Sequence, residues 1–470
     1  VIITAPRTSV WSRLAAALRP AFLGFADQGI YLLHTSADQQ AVIQLLWLYR
    51  HGVDLEALHL VHANLEHGLL ARLVQPSILP FGRHHWTSVP PSPSGLAVGA
   101  DPLAPEALHA WADAQVQLPL DPAHGPGWRL AVQPVSDGAT AVSLVVSHCM
   151  ADGLATSMAV TEAVRGERRE PAYSLQNEPR RRATVLLGEV LQFVLDFPST
   201  LRALAQFVGI AARALRTPGP RPAGGGRGDT VPVSRQAERI VSLPSVSVRV
   251  NSSAWLARAK RAGVSRTTLL TAMAATWAVA LGRVSDGTVS LMIPVNRRTG
   301  ASDTGGNRVS LATLKVSAGA VGEQVAMVQR TLRSTLLNAR RRPDLLAALL
   351  PLIPFVPKRL FVSLSTLAFG SSGDLPVSYS HLGPAPPEVL GIDGTAAEWF
   401  GFRGVDRHLS GRDIERRRGV ATLLSGFSPG YIILNFVAYQ PGIVTDTGQL
   451  RAIVEQVLAD YDLSGEVFFD

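Results

Sequence analysis

Residues 141–164 read AVSLVVSHCMADGLATSMAVTEAV. The β-branched run that opens this stretch has the composition of a buried strand, and from Gly153 onward the apolar residues recur at helical spacing. Between the two lies SHCMADG (147–153). A strand that ends on a histidine and resumes as a helix after Asp-Gly can be a simple polar turn. It can also be a catalytic base held at the end of a sheet. Histidine is the side chain whose unperturbed pKa, about 6.5, already lies where a general base must titrate. The aspartate four positions after His148 can orient the imidazole or anchor the loop, and Gly153 permits a tight turn or a close backbone approach.

Working outward, WRLAVQPV and TAVSLVVS flank Asp137-Gly138, a hairpin signal whose second strand delivers His148. Residues 183–215 read as helices punctuated at Pro198. Proline and glycine then crowd into TPGPRPAGGGRGDTVPVS, which reads as a linker. Its GGGRG is no phosphate loop, because no Gly-Lys-Ser/Thr follows. This divides the chain into residues 1–216, a linker at 217–234 and residues 235–470. In the last part, 265–284 predicts a buried helix capped near Ser265. GTVSLMIPV and NRVSLATLKVS predict strands and 321–341 a long amphipathic helix. LPVSYSHLG, AAEWFGFRGV, GVATLLSGF and YIILNFVAY predict further strands, before a final helix capped near Asp446 or Thr447. Hairpins outnumber strict βαβ alternation, so the expected fold class is α/β or α+β with mixed sheets.

At 470 residues the chain exceeds what one core usually serves. Hydrophobic residues at 47% and charged residues at 17% exclude a disordered chain. The net charge is +8, and with only Lys260, Lys315 and Lys358 as lysines, 41 of the 44 basic residues are arginine. Clusters at Arg180–Arg182, Arg340–Arg342 and Arg416–Arg418 suit anionic partners such as coenzyme A phosphates, an acidic carrier protein or anionic lipid. No zinc-finger or RNA-binding signature points to nucleic acid. A single cysteine, Cys149, excludes an internal disulfide and fits a reducing cytoplasm. The first 25 residues contain Arg7, Arg13 and Arg19 and show no clean signal-peptide core. The longest apolar region, 345–369, is broken by Pro351, Pro354 and Pro357, so a spanning helix is not expected; peripheral contact with a membrane, or a greasy substrate channel, is compatible with it.

SHCMADG resembles the HxxxDG signature of the condensation-domain-like acyltransferases, which include nonribosomal peptide condensation domains, polyketide-associated acyltransferases, wax ester synthases and chloramphenicol acetyltransferase. IPVNRRTG followed by GGNRVS is similar to the Pro-Val-x-x-Arg and Gly-Asn segments of the wax ester synthase branch, and VSYSHLGPAP resembles a later strand ending in Gly-Pro. The resemblance implies two chloramphenicol-acetyltransferase-like subdomains forming a V around a central tunnel. It implies His148 as the base that deprotonates an acceptor hydroxyl or amine, and Asp152 as a structural partner of Arg298. Gly153 would keep the base loop close to the thioester, and Ser147, Ser380, His381 and Asn307 are its candidates for tunnel contact. The reaction would be acyl transfer from acyl-CoA or an acyl carrier protein, with ester formation expected ahead of amide formation. It would need no cofactor and no metal, and a monomer is expected. A carrier-binding module without activity is the alternative. Two departures stand out: many relatives have a histidine where this chain has Ser147, and the DFGWG segment of the plant branch is absent.

Three rival sites are weaker. Cys149 neighbours His148, but adjacent strand residues point to opposite faces, which puts the thiol behind the site. GFSPG (426–430) matches a nucleophile elbow, yet Pro429 lacks the N–H that would help bind an oxyanion, so a hairpin turn is expected. His84-His85 has no third partner in a metal-ligand pattern.

Overall fold

The computed structural model describes residues 22–36, 40–88, 95–168, 182–216, 240–300, 303–341, 345–357 and 375–468. The linker reading at 217–234 therefore lies outside the described residues, as do Arg180, Arg181, Arg342 and the apolar residues 358–369. In chain order the first half contains β1 (Gln40–Tyr49), β2 (Arg72–Gln75), β3 (His85–Ser88), β4 (Ala97–Val98), β5 (Trp128–Pro134) and β6 (Thr140–Ser147). The second contains β7 (Ser245–Asn251), β8 (Thr288–Asn296), β9 (Val309–Ser317), β10 (Val377–Pro384), β11 (Trp399–Arg407), β12 (Val420–Ser428), β13 (Tyr431–Tyr439) and β14 (Glu466–Phe468).

Apart from β2 and β3, which pair with each other, these strands form two large mixed sheets. One is five-stranded, in the order β11-β1-β6-β5-β4, and the other seven-stranded, in the order β14-β7-β13-β12-β10-β8-β9. The Asp137-Gly138 hairpin joins β5 to β6, with Gly138 at φ +89°, a conformation that glycine adopts without a Cβ penalty. Every residue of β6 is buried, because the strand is paired on both sides and both of its faces are covered. One edge of the first sheet is supplied by the second half of the chain: β11 pairs antiparallel with β1 from Gln40↔Arg407 to Leu48↔Trp399.

Each sheet has its own core. The second is built around the helix Arg266–Ala280, capped by Ser265 and buried along almost its whole length, with Trp277 set edge-on to Phe436 at 5.1 Å between ring centroids. The first gathers Trp47, Tyr49, Val142, Leu144 and Val146 with Phe400 and Phe402 of β11 and Ile433 of β13. Across this junction Arg403 donates to Gln44 Oε1 at 2.7 Å, Ser245 Oγ at 2.7 Å and Asp113 Oδ1 at 2.6 Å.

The expected break at Pro198 does not occur. A single helix runs from Arg182 to Arg216 with Pro198 inside it. Proline removes one N–H from the ladder. The nearby Asp196 carbonyl instead accepts from Ser199 Oγ at 2.7 Å and Thr200 Oγ1 at 3.1 Å.

Candidate functional site

The last hydrogen-bonded register of β6 pairs Ser147 with Val42, and the chain then leaves the sheet at His148, whose N–H still bonds the Ala41 carbonyl at 2.9 Å. Helix Gly153–Val164 begins at once, capped by Asp152, whose side chain accepts from Ala155 N at 2.8 Å. Ala155, Ala159 and Ala163 are buried on this helix, and Asn64 Nδ2 bonds the Ala163 carbonyl at 2.9 Å, so the helix packs closely on Leu55–Leu65. The loop between strand and helix is thus held at both ends.

It is also held from the far half of the chain. Arg298 Nη2 donates to both carboxylate oxygens of Asp152 at 2.8 Å, joining residues 146 apart in sequence. Both side chains are nearly sealed from solvent, at 5% and 7% exposure. Arg298 is further fixed by the carbonyls of Gly305 at 2.9 Å and Gly306 at 3.0 Å. Asp152 also accepts from Arg308 N at 3.0 Å, and its own N–H bonds the Gly306 carbonyl at 2.9 Å. A buried carboxylate is tolerated only when paired and hydrogen-bonded, and all four acceptor contacts are present here.

Asn307, a candidate for tunnel contact on sequence, has a different position. Only 6% exposed, its Nδ2 bonds the His148 carbonyl and Asp27 Oδ1, each at 2.9 Å, and its backbone N–H bonds the same Asp27 oxygen at 2.6 Å. Buried N–H groups must find acceptors, and this amino group finds one in the loop that carries the histidine and one in Asp27. Gly306 makes the approach feasible, since a Cβ there would stand 2.8 Å from Asp27 Oδ1 and 3.0 Å from the Met150 carbonyl. Ser147 is likewise no tunnel residue: it is 1% exposed and its hydroxyl shares a 3.0 Å hydrogen bond with the Cys149 thiol. Ser147 is the last residue of β6, and Cys149, in the turn that follows, is buried beside it. Burial pushes the Cys149 thiol up to about 12, which leaves it protonated and unreactive.

Asp27 and Arg72 were not singled out from the sequence. Asp27 is 1% exposed, and burial raises its carboxyl above the usual range despite hydrogen bonds from Asn307 and Gly24 and the nearby Arg72. Arg72 donates to the Thr304 carbonyl at 2.6 Å and the Met150 carbonyl at 2.5 Å, with its guanidinium 4.1 Å from the Trp86 ring centroid. Together they tie the loop 304–307 to the loop 148–152 from beneath.

The His148 ring is half-buried. Its Nδ1 is sealed and has no partner among the described residues, so Nε2 is the ring nitrogen a reactant can reach. Gly153 faces β10: a Cβ there would lie 3.1 Å from Leu382 Cδ2, which brings the end of the SHLGP strand against the histidine loop. On that strand Ser380 and His381 are half-buried. Ser425 Oγ donates to the Ser380 carbonyl at 3.2 Å and lies 3.1 Å from His381 Nδ1. With its proton committed to the carbonyl, the hydroxyl accepts from Nδ1–H, which leaves His381 Nε2 as the unprotonated nitrogen. Burial lowers the His381 pKa and keeps this form.

The remaining motifs have structural roles. GFSPG forms the turn between β12 and β13, where Ser428 Oγ donates to the Tyr431 carbonyl at 3.3 Å. His84 Nδ1 accepts from Ser77 N at 3.2 Å, while His85 is fully buried with Nδ1 3.7 Å from Glu189. No cluster able to hold a metal ion occurs among the described residues. Arg417 pairs with Asp406 at 2.8 Å.

With its two mixed sheets, the chain is similar in fold to solved condensation domains. The first condensation domain of the calcium-dependent antibiotic synthetase, solved with a substrate analogue, aligns over 96% of this chain and 99% of its own, at a TM-score of 0.60 and 15% identity. Polyketide synthase associated protein 5 from Mycobacterium tuberculosis aligns over 94% and 97%, at 0.53 and 15% identity. The nonribosomal peptide synthetase FmoA3 aligns over 94% of this chain but 42% of its own, at 0.53 and 18% identity. No family model matches the chain, and no curated protein matches its sequence.

Proposed function

We propose that the protein is an acyltransferase that moves an acyl group from a coenzyme A or carrier-protein thioester to a hydroxyl, in lipid or polyketide-type biosynthesis. The observation that carries this reading is His148 itself. It stands just past the end of a fully buried strand, its ring half-buried and its Nδ1 sealed, on a loop fixed by Asp152, Arg298 and Asn307.

In the proposed reaction His148 Nε2 accepts the proton of the acceptor hydroxyl as its oxygen attacks the thioester carbonyl. The tetrahedral intermediate carries the negative charge on the former carbonyl oxygen. Its collapse re-forms the carbonyl, breaks the carbon–sulfur bond and expels a thiolate, which takes the proton back from the imidazolium. No acyl-enzyme is formed. Asp152 has no part in proton transfer, because its oxygens are committed to Arg298, Ala155 and Arg308. Ser380, two residues before the Leu382 that meets Gly153, is the side chain we assign to contact with reactants, its neighbour His381 being directed to the other face of the strand.

The likeness to peptide-forming condensation domains favours amide formation as the second reading. Both are tested by incubating the protein with acyl thioesters and either alcohol or amine acceptors, following thiol release and identifying products by mass spectrometry. A general base contributes about 10²–10⁴-fold in rate, so His148→Ala should lose that much with its thermal midpoint unchanged. Unaltered turnover in that variant would sink the proposal. Thiol release without any acylated acceptor would identify a hydrolase instead.

A further inference from the structure

The helix Arg182–Arg216 has an apolar stripe along its outer side. Leu187, Val190, Val194, Phe197, Leu201 and Leu204 recur at alternating three- and four-residue steps, and each is 44–60% exposed. The inner side is pinned to the first half of the chain. Glu189 accepts from Ser77 Oγ at 2.9 Å and from the N–H groups of Ile78 and Leu79, and Asp196 pairs with Arg83 at 3.2 Å.

Those two residues are the only carboxylates in the helix, so both of its negative charges face inward, hydrogen-bonded or ion-paired to the first half of the chain. Its remaining charges are all arginine: Arg182, Arg202, Arg213 and Arg216. The outer side is therefore broadly apolar, in a segment whose remaining charged residues are all basic.

This pattern discriminates between occupants. A second copy docked through the stripe would need charged residues beside the seam to set its register, whereas Phe193 and Pro198 stand there. Twofold pairing would also bring arginine-rich segments of like charge together. An anionic lipid surface complements both features, since it takes up a wide apolar face and attracts arginines at its headgroups. At about 1.5 Å per residue the stripe is on the order of 30 Å long, and no helix among the described residues is long and apolar enough to cross a membrane. We propose that the outer side of Arg182–Arg216 lies in the interface of an anionic bilayer, parallel to its plane, and docks the protein there. The assignment is independent of the acyl-transfer reading.

The test is flotation of the full chain with vesicles of phosphatidylcholine alone or of equimolar phosphatidylcholine and phosphatidylglycerol. Binding to the mixed vesicles, weakened by added salt, is expected. Combining Leu187→Ser, Val194→Ser and Phe197→Ser should weaken that partition by roughly tenfold or more, with the thermal midpoint unchanged because the three side chains are exposed. Arg202→Glu should weaken it selectively on the anionic vesicles. No flotation, equal flotation on both vesicle types, or an unaltered triple variant overturns the proposal. So does a dimer, seen by light scattering, that the triple variant dissolves.

Discussion

Asp152 distributes two oxygens among an arginine, a helix N-terminus and a backbone N–H of the opposite half, so its partners fail in different ways when replaced. Arg298→Met leaves a sealed carboxylate without its counter-ion, a change that costs about 3–5 kcal/mol in comparable buried pairs. Denaturant unfolding should register that loss, a large part of the roughly 5–15 kcal/mol that holds a typical protein together. Asn307→Ala releases the His148 carbonyl and removes one of the hydrogen bonds to Asp27, so turnover should fall while the KM for the thioester stays constant, a split that steady-state kinetics reads directly. Gly306→Ala drives a methyl into Asp27 and the Met150 carbonyl and should cost roughly 1–3 kcal/mol, with activity falling alongside. His148, Asp152 and Arg298 were legible in the sequence because each belongs to a short pattern whose chemistry is local or familiar. Asn307 and Ser147 were visible as residues but assigned to the tunnel, since burial is not encoded in a motif. Asp27 was invisible: in FADQGIYLLHTS it reads as an ordinary acid in a first helical turn, and its partner lies 280 residues away.

At the scale of elements, strands and helices followed their hydrophobic periodicity, from the Asp-Gly hairpin to the capped helix at Arg266–Ala280. The helix Arg182–Arg216 did not, because a proline rule that holds for an isolated helix is overridden where tertiary contacts at Glu189 and Asp196 hold the turns before the proline. One of those contacts has a pH signature. Burial holds His85 below the ordinary histidine pKa, more strongly than neighbouring Glu189 raises it. As pH falls through about 6.5 the unfolded chain binds the proton before the folded one does, so stability is full above that value and is lost below it. The thermal midpoint should therefore drop between about pH 7.5 and about pH 5.5, and His85→Gln should flatten the slope. Some slope should persist, since burial also depresses His62 and His381.

At the scale of the whole molecule, the sequence suggested two parts in series, and the sheets exchange material between them. β11 belongs by position to the second part and by hydrogen bonding to the first sheet. Sequence patterns locate a strand without naming its neighbour, which is why this pairing could not be read in advance. A fragment ending at residue 216 would leave β1 as a long open edge, the kind of surface that pairs with other chains. Expressed alone it should aggregate, and coexpressed with residues 235–470 it should be recovered as a soluble complex on size-exclusion chromatography. Separate, monodisperse fragments would contradict this. The shared strand has a mechanical side as well. Phe402 of β11 faces Gly426, where a Cβ would stand 3.3 Å from its ring, and Arg403 reaches Ser245, while the same strand stays laddered to β1. Any motion of one sheet against the other must then turn about β11 as an axle, because sliding past it would unzip the first sheet.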